Sequence, residues 1–297
     1  MAVATETSLE RRAEQVPRLA ARLQSLPVHA AVIGIALLWM VPAVGLLVSS
    51  FRPPNLVSTT GWWTALEPPF VFTLDNYQRV LATNNLGQSF VNSLLVTIPA
   101  TVMPILIAAF AAYAFAWLDF PGRTVLFVIV VGLLVVPLQM TLIPILRLFT
   151  AFGWTGTFAA VWLAHSGYGL PFAIYLLRNF FGGLPREMFE AAYIDGASPV
   201  TVFFRLVLPT SVPALASLTI FQFLWVWNDL LVALVYLGGS PSVAPMTVTV
   251  SNLVNSLGQN WQLLTAAAFL SMLLPLVIFF SLQQYFVRGI LAGSVKG

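Results

Sequence analysis

The chain has 297 residues, 59% of them hydrophobic and only 8% charged, with a formal net charge of +3. A soluble domain carries about 25% charged residues, so water cannot be the main solvent, and the sequence reads as an all-α polytopic membrane protein. The small, dispersed positive charge points to membrane orientation and not to a nucleic-acid partner; with no cysteine and only His29 and His165, disulfide, thiolate and iron–sulfur chemistry and a histidine-rich metal centre are excluded.

Residues 1–28 are polar and helix-friendly, with Arg11, Arg12, Arg18 and Arg22 set against Glu6, Glu10 and Glu14. The apolar run behind them is too long for the core of a secretory signal and is expected to be an uncleaved first span. About 20 helical residues cross ~30 Å of hydrocarbon. Six spans are therefore predicted, near 30–51, 90–117, 124–149, 157–177, 213–237 and 263–285. Pro42, Pro99, Pro104, Pro137, Pro144, Pro171 and Pro275 fall within them. Kinks around a pathway and ordinary transmembrane proline both account for these.

Orientation follows from Lys and Arg. With the N-terminus inside, the inner segments hold Arg11, Arg12, Arg18, Arg22, Arg123, Arg178, Arg186, Arg205, Arg288 and Lys296, and the outer ones only Arg52, Arg79 and Arg147. Ten against three places both termini in the cytoplasm. The domain reading is a cytoplasmic segment over 1–29, a six-span membrane domain over 30–285 and a cytoplasmic tail over 286–297. Residues 52–89, outside, are rich in aromatics (Trp62, Trp63, Phe70, Phe72, Tyr77) of the kind that sit at headgroup level. The outer 238–262 loop bears no charge and could pack on an external partner or fold back toward a pore.

The longest polar interruption of the apolar sequence is the inner stretch Pro185–Pro209, with Glu187, Glu190 and Asp195. Pro185 and the following acids suit a helix start. Asp195-Gly196 breaks that helix, since glycine accepts the left-handed cap. Ser198-Pro199 restarts it as N-cap and first residue, and a stop is expected near Pro209. Two short helices at an angle suit a loop that docks onto something. Neither a GxxxxGK[ST] phosphate loop, a G-x-S-x-G elbow nor an H-E-x-x-H pair occurs, so an enzyme active site is poorly supported.

Glu190-Ala191-Ala192, then Asp195-Gly196-Ala197, then Leu208-Pro209 resembles the EAA loop of importer permeases of the ATP-binding-cassette (ABC) superfamily. Asn92-Ser93, Val136-Pro137, Pro144, Leu170-Pro171-Phe172, Leu176-Leu177-Arg178, Trp227-Asn228-Asp229 and the closing Gly289–Gly297 are similar to the branch with maltose-type permeases. The resemblance runs from about residue 30 to the end. It implies a type I importer fold and a bacterial inner-membrane subunit with no catalysis of its own. Its partners would be a second, homologous permease, two ATPase subunits that bind ATP and Mg, an extracytoplasmic solute-binding protein, membrane lipid and a di- or oligosaccharide or glycoside. Alternating access is the matching mechanism. A permease for glycerol-phosphate-like solutes and a stand-alone ion-coupled carrier are the alternatives. No mid-span Lys or Arg supports the first, and no inverted repeat or set of intramembrane acids supports the second.

On this reading Glu190, Ala191, Ala192, Asp195, Gly196, Ala197 and Pro209 form the ATPase-coupling element, with Glu190 offering a charge-assisted bond and Gly196 setting the helix angle. Phe203 and Phe204 are candidates for anchoring it to the membrane domain. Gly293, Lys296 and Gly297 would reach the ATPases. Asp229 is the one carboxylate expected inside a span, where a charge is expensive. It could bond sugar hydroxyls, pair within the bundle or relay protons. Trp227, Asn228 and Asp229 together have the chemistry of a sugar path, with His165 and Tyr168 as weaker candidates.

Overall fold

Hydrocarbon offers the backbone no hydrogen-bond partners, so apolar runs must satisfy their own amides. The computed structural model describes the backbone of residues 3–83, 85–253 and 260–294, with side chains over 26–82, 85–253 and 260–283. Among the described residues the regular structure is entirely helical. The chain divides into two units, Met1–Leu74 and Asp75–Gly297.

The first unit is α1 (Val3–Ser50), α2 (Pro54–Thr59) and a 3₁₀ turn, Trp62–Leu66. Arg52 is expected at an outer surface, yet it is buried, and its guanidinium organises the return of the chain. Its Nη1 donates to the Gly61 carbonyl (2.8 Å) and its Nη2 to Thr60 Oγ1 (2.7 Å) and Thr64 Oγ1 (2.9 Å). Trp62 approaches Gly45 so closely that a Cβ there would stand 2.7 Å from the indole nitrogen.

The second unit runs α3 (Asp75–Thr83), α4 (Leu86–Trp117), α5 (Arg123–Leu133), α6 (Leu138–Ala151) and α7 (Phe158–Gly182). A loop follows with α8 (Arg186–Ile194), α9 (Pro199–Val202), a π-helical turn (Phe203–Val207) and α10 (Leu208–Thr210). Then come α11 (Val212–Trp227), α12 (Leu231–Leu237), α13 (Met246–Ser251) and α14 (Trp261–Ser294). α4 packs most extensively on α7, and α11 packs on α14 and α4. Small residues permit the close α4–α7 approach that membrane helices use: Ala100, Ala108 and Ala112 of α4 and Ala160, Ala164 and Ala173 of α7 are buried.

Four helices are long and apolar enough to cross a membrane, Leu26–Ser50, Leu86–Trp117, Phe158–Gly182 and Trp261–Gln283, and two bent pairs bring the total to six. The predicted third span, 124–149, is not one helix. α5 and α6 meet at 101°, because Pro137, as N-cap of α6, has no amide to continue the helix. The predicted fifth span, 213–237, is also interrupted. α11 has 16 residues, is joined to Pro199–Thr210 through a 74° bend, and stops before α12. Pro99, Pro104, Pro171 and Pro275 lie inside continuous helices.

The uncharged segment after α12 folds back on α4 through buried polar side chains. Asn92 Nδ2 donates to the carbonyls of Ser242 and Ala244, both at 3.1 Å. Ser93 Oγ accepts from the Met246 amide (2.8 Å), and Ser89 and Thr249 share a hydroxyl bond (2.7 Å). Asn92→Ala leaves two carbonyls without a donor, at a cost of about 2 kcal/mol. A lowered Tm of the detergent-solubilised protein is the expected outcome; an unchanged Tm would refute this role.

Candidate functional site

The loop between α7 and α11 has a buried inner face and an exposed outer one. α8 ends as its sequence demands: Gly196 is left-handed (φ +78°), and the Ala197 amide returns to the Ala192 carbonyl (3.0 Å), closing a Schellman turn. Ser198 Oγ then accepts from the Thr201 amide (3.2 Å) and caps α9. The second helix stops near Pro209 as expected: Pro209 sits inside α10, which ends at Thr210.

Aromatic contacts fasten the inner face to the end of α4. Phe189 is buried and stacks on Trp117, with centroids 3.5 Å apart and planes 17° from parallel. The Trp117 indole N–H donates to the Phe181 carbonyl (2.9 Å), and Tyr113 donates its hydroxyl to the Pro199 carbonyl (3.0 Å). Phe203 is buried between Phe110 (4.7 Å) and Tyr113 (5.3 Å), while Phe204 is exposed and meets Phe110 edge-on. Phe203 therefore has the anchoring position expected of it. Trp117 and Tyr113, lying outside the loop, had no signal in the loop's sequence; an aromatic at the end of an apolar run was the available clue.

On the outer face Glu190, Ala191, Asp195, Gly196 and Pro209 are exposed, and Ala192 and Ala197 are half-buried. Glu190 pairs with Arg186 (3.0 Å), both well exposed, and such a pair is weak enough to exchange partners. Ile194 is 86% exposed and Val200 66%, so each half of the loop presents an apolar side chain outward, and Ile194 is followed directly by Asp195.

Trp227, Asn228 and Asp229 occupy the break between α11 and α12, in three different environments. Trp227 is buried, stacked on Phe223, and donates its indole N–H to the Ser271 carbonyl (3.0 Å). Asn228 is exposed and bonds back to the Leu224 carbonyl (2.8 Å). Asp229 accepts from the amides of Val232 (3.3 Å) and Ala233 (3.0 Å), capping α12. Its Oδ2 also lies 3.6 Å from His165 Nε2, beyond hydrogen-bond length. His165 is fully buried, edge-on to Trp225 at 5.1 Å, and neither ring nitrogen has a hydrogen-bond partner. Tyr168 shares hydroxyl bonds with Thr141 and Tyr236, both at 2.9 Å. Among the described residues no cluster of three or more His, Cys, Asp or Glu could hold a metal ion. Gly293 is in the last turn of α14, and Lys296 and Gly297 lie outside the described residues.

Residues 83–292 match the family described as binding-protein-dependent transport system inner membrane component. The chain belongs to this family. It is 59% identical to an osmoprotective compounds uptake permease of Synechocystis sp. over 92% of this chain and 93% of that one. It is 58% identical to the alpha-glucoside transport permease AglG of Rhizobium meliloti, over 80% of this chain and 63% of that protein. A bacterial ABC transporter that imports the acidic polysaccharide alginate aligns with TM-score 0.72 at 22% identity, covering 87% of this chain and 95% of that one, and shares the fold. An inner-membrane permease of this family is a transport component, which leaves the stand-alone carrier without support.

The cap gives Asp229 a structural role that substitutions can isolate. Asp229→Ala removes both acceptors and is expected to cost about 1 kcal/mol, with Asp229→Asn costing less because one acceptor remains. Thermal unfolding in detergent should rank wild type above Asn above Ala; equal Tm values would mean that the cap contributes nothing.

Proposed function

We propose that the chain is one of two permease subunits of a sugar importer and that it moves a neutral glycoside. The observation that supports this most is identity of 59% and 58% to permeases named for osmoprotective compounds and alpha-glucosides. The intramembrane chemistry agrees, since polar groups such as Gln222, Tyr168 and Thr141 are uncharged and suit hydroxyls better than phosphate.

In this reading Pro185–Pro209 faces the cytoplasm and docks on an ATPase subunit through Glu190, Ala191, Ala192, Asp195, Gly196, Ala197 and Pro209. Ile194 is the natural apolar anchor, being almost fully exposed on a rigid helix. Glu190 exchanges Arg186 for a basic group or backbone amides of the ATPase. Residues Gly293, Lys296 and Gly297 extend toward the ATPases. A second permease completes the path, and an external binding protein delivers the solute. At the α11–α12 break, Asn228 has the exposure to meet solute, whereas Trp227 and Asp229 shape the path by packing and capping.

Sugar uptake driven by ATP in proteoliposomes containing the whole transporter tests this assignment. Ile194→Asp puts a charge at an apolar contact, and Gly196→Val forces a β-branched residue into left-handed backbone. Both are expected to weaken ATPase association and lower uptake by at least about tenfold, roughly 1.4 kcal/mol of docking energy, with Glu190→Ala weaker. Unchanged uptake and association in both would remove the loop as the coupling element.

A further inference from the structure

His165 of α7 has no exposed surface, and neither ring nitrogen has a hydrogen-bond partner. A neutral imidazole carries one N–H and one lone pair, so both demands go unmet. Leaving such groups unbonded in an apolar interior is costly. Trp225 meets the ring edge-on at 5.1 Å, a contact too weak to replace a hydrogen bond. A leucine would fill similar space without that penalty, so packing alone does not account for a histidine at this position.

An acceptor stands just out of reach. Asp229 Oδ2 lies 3.6 Å from His165 Nε2, whereas a charge-assisted N–H···O bond spans about 2.8 Å. Closing the gap takes a shift of roughly 0.8 Å, less than the ~1–2 Å by which packed helices slide in conformational transitions. The carboxylate has capacity for a further donor. It offers about four lone-pair sites, and Asp229 uses its oxygens on the amides of Val232 (3.3 Å) and Ala233 (3.0 Å).

Movement of Asp229 would not stay local. It sits between α11 and α12, its side chain caps α12, and its carbonyl accepts from Thr247 Oγ1 of α13 (2.6 Å). α12 in turn packs on α7, and α11 packs on α7 and α4. Drawing the carboxylate onto the imidazole therefore pulls the α11–α12 break, and with it the segment folded back on α4, toward α7.

We propose that His165 and Asp229 form a conformational latch, open in this structure and closed in the alternate state of the transport cycle, where Nε2–H donates to Oδ2. The proposal rests on the importer reading. His165, fully buried, is a positioning residue that acts through Asp229. A bond made in one state only shifts the balance between the two states by about tenfold or more. A bond kept in both would shift nothing.

The complete transporter in proteoliposomes tests it, with uptake of maltose, trehalose and sucrose measured beside the Tm of the detergent-solubilised protein. His165→Leu removes both unmet nitrogens, so Tm is expected to hold or rise while uptake of the best substrate falls by about tenfold. His165→Gln places an amide N–H near the position of Nε2 and should restore most of the uptake. Asp229→Asn should also lower uptake, and joining it to His165→Leu should add no further loss, because both remove the same bond. Unchanged uptake in His165→Leu would overturn the latch. A fall of Tm and uptake together would make the histidine structural and overturn it equally, as would additive losses in the double variant. A wild-type transporter that hydrolyses ATP but moves none of the sugars would overturn the sugar-importer reading itself, and the latch with it, before any variant is compared.

Discussion

Every backbone group inside hydrocarbon must find its partner within the protein, and that constraint decides where this chain spends its few polar residues. A helix can break in the membrane only if its freed amides and carbonyls are bonded again. The break after Trp227 is possible because Asp229 reaches the amides of Val232 and Ala233. The segment around Ser242 and Ala244 can leave helical geometry because Asn92 donates to both carbonyls. In the first unit Arg52 does the same for the turn at Thr60–Thr64. An Asp, an Asn and an Arg thus act first as backbone partners, and any role toward solute is added to that one.

The loop between α7 and α11 obeys a different requirement, stiffness. A flexible linker would absorb a push; two capped helices with a left-handed hinge residue do not. The stack of Phe189 on Trp117 and the bond from Tyr113 to the Pro199 carbonyl tie both halves of the loop to one end of α4. The π-helical turn at Phe203–Val207 directs Phe203 inward between Phe110 and Tyr113, and π turns often mark places where a helix has been adapted to a task. Since the inner face is filled by α4, the outer face alone is left to meet a partner.

Much of this was legible in the sequence, for identifiable reasons. Apolar length revealed the spans, and Pro185, Gly196, Ser198 and Pro199 punctuate the loop so strongly that its two helices could be placed residue by residue. The interruption at 228–230 was not read, because neither proline nor glycine marks it; Asp229 works there as a cap, a signal that is masked when the residue is weighed only as a buried charge. The 101° turn between α5 and α6 was half-visible, since Pro137 resembles the other prolines that helices of this chain tolerate. Trp227, Asn228 and Asp229 are adjacent in sequence, but at a helix end adjacent side chains diverge, and they do not converge on one point. Gln222 and Gly169 meet across two helices 53 positions apart in the chain, a relation that no local pattern contains.

That last pairing also bears on the loop. α7 ends at Gly182 and α11 begins at Val212, so the loop of 185–209 is the tether between the two helices on which Gly169 and Gln222 meet. α4 touches both systems: its Trp117 and Tyr113 grip the loop, and its Ala100 carbonyl holds the Gln222 amide. Packed interiors shift between discrete arrangements more readily than they deform. A displacement of the loop's outer face therefore has to be accommodated where α4, α7 and α11 meet, an interface that includes the Gln222 bond to the Ala100 carbonyl. Under the importer reading, a moving loop would be felt first at this junction, where Gln222 bonds to α4 and fits against Gly169 of α7.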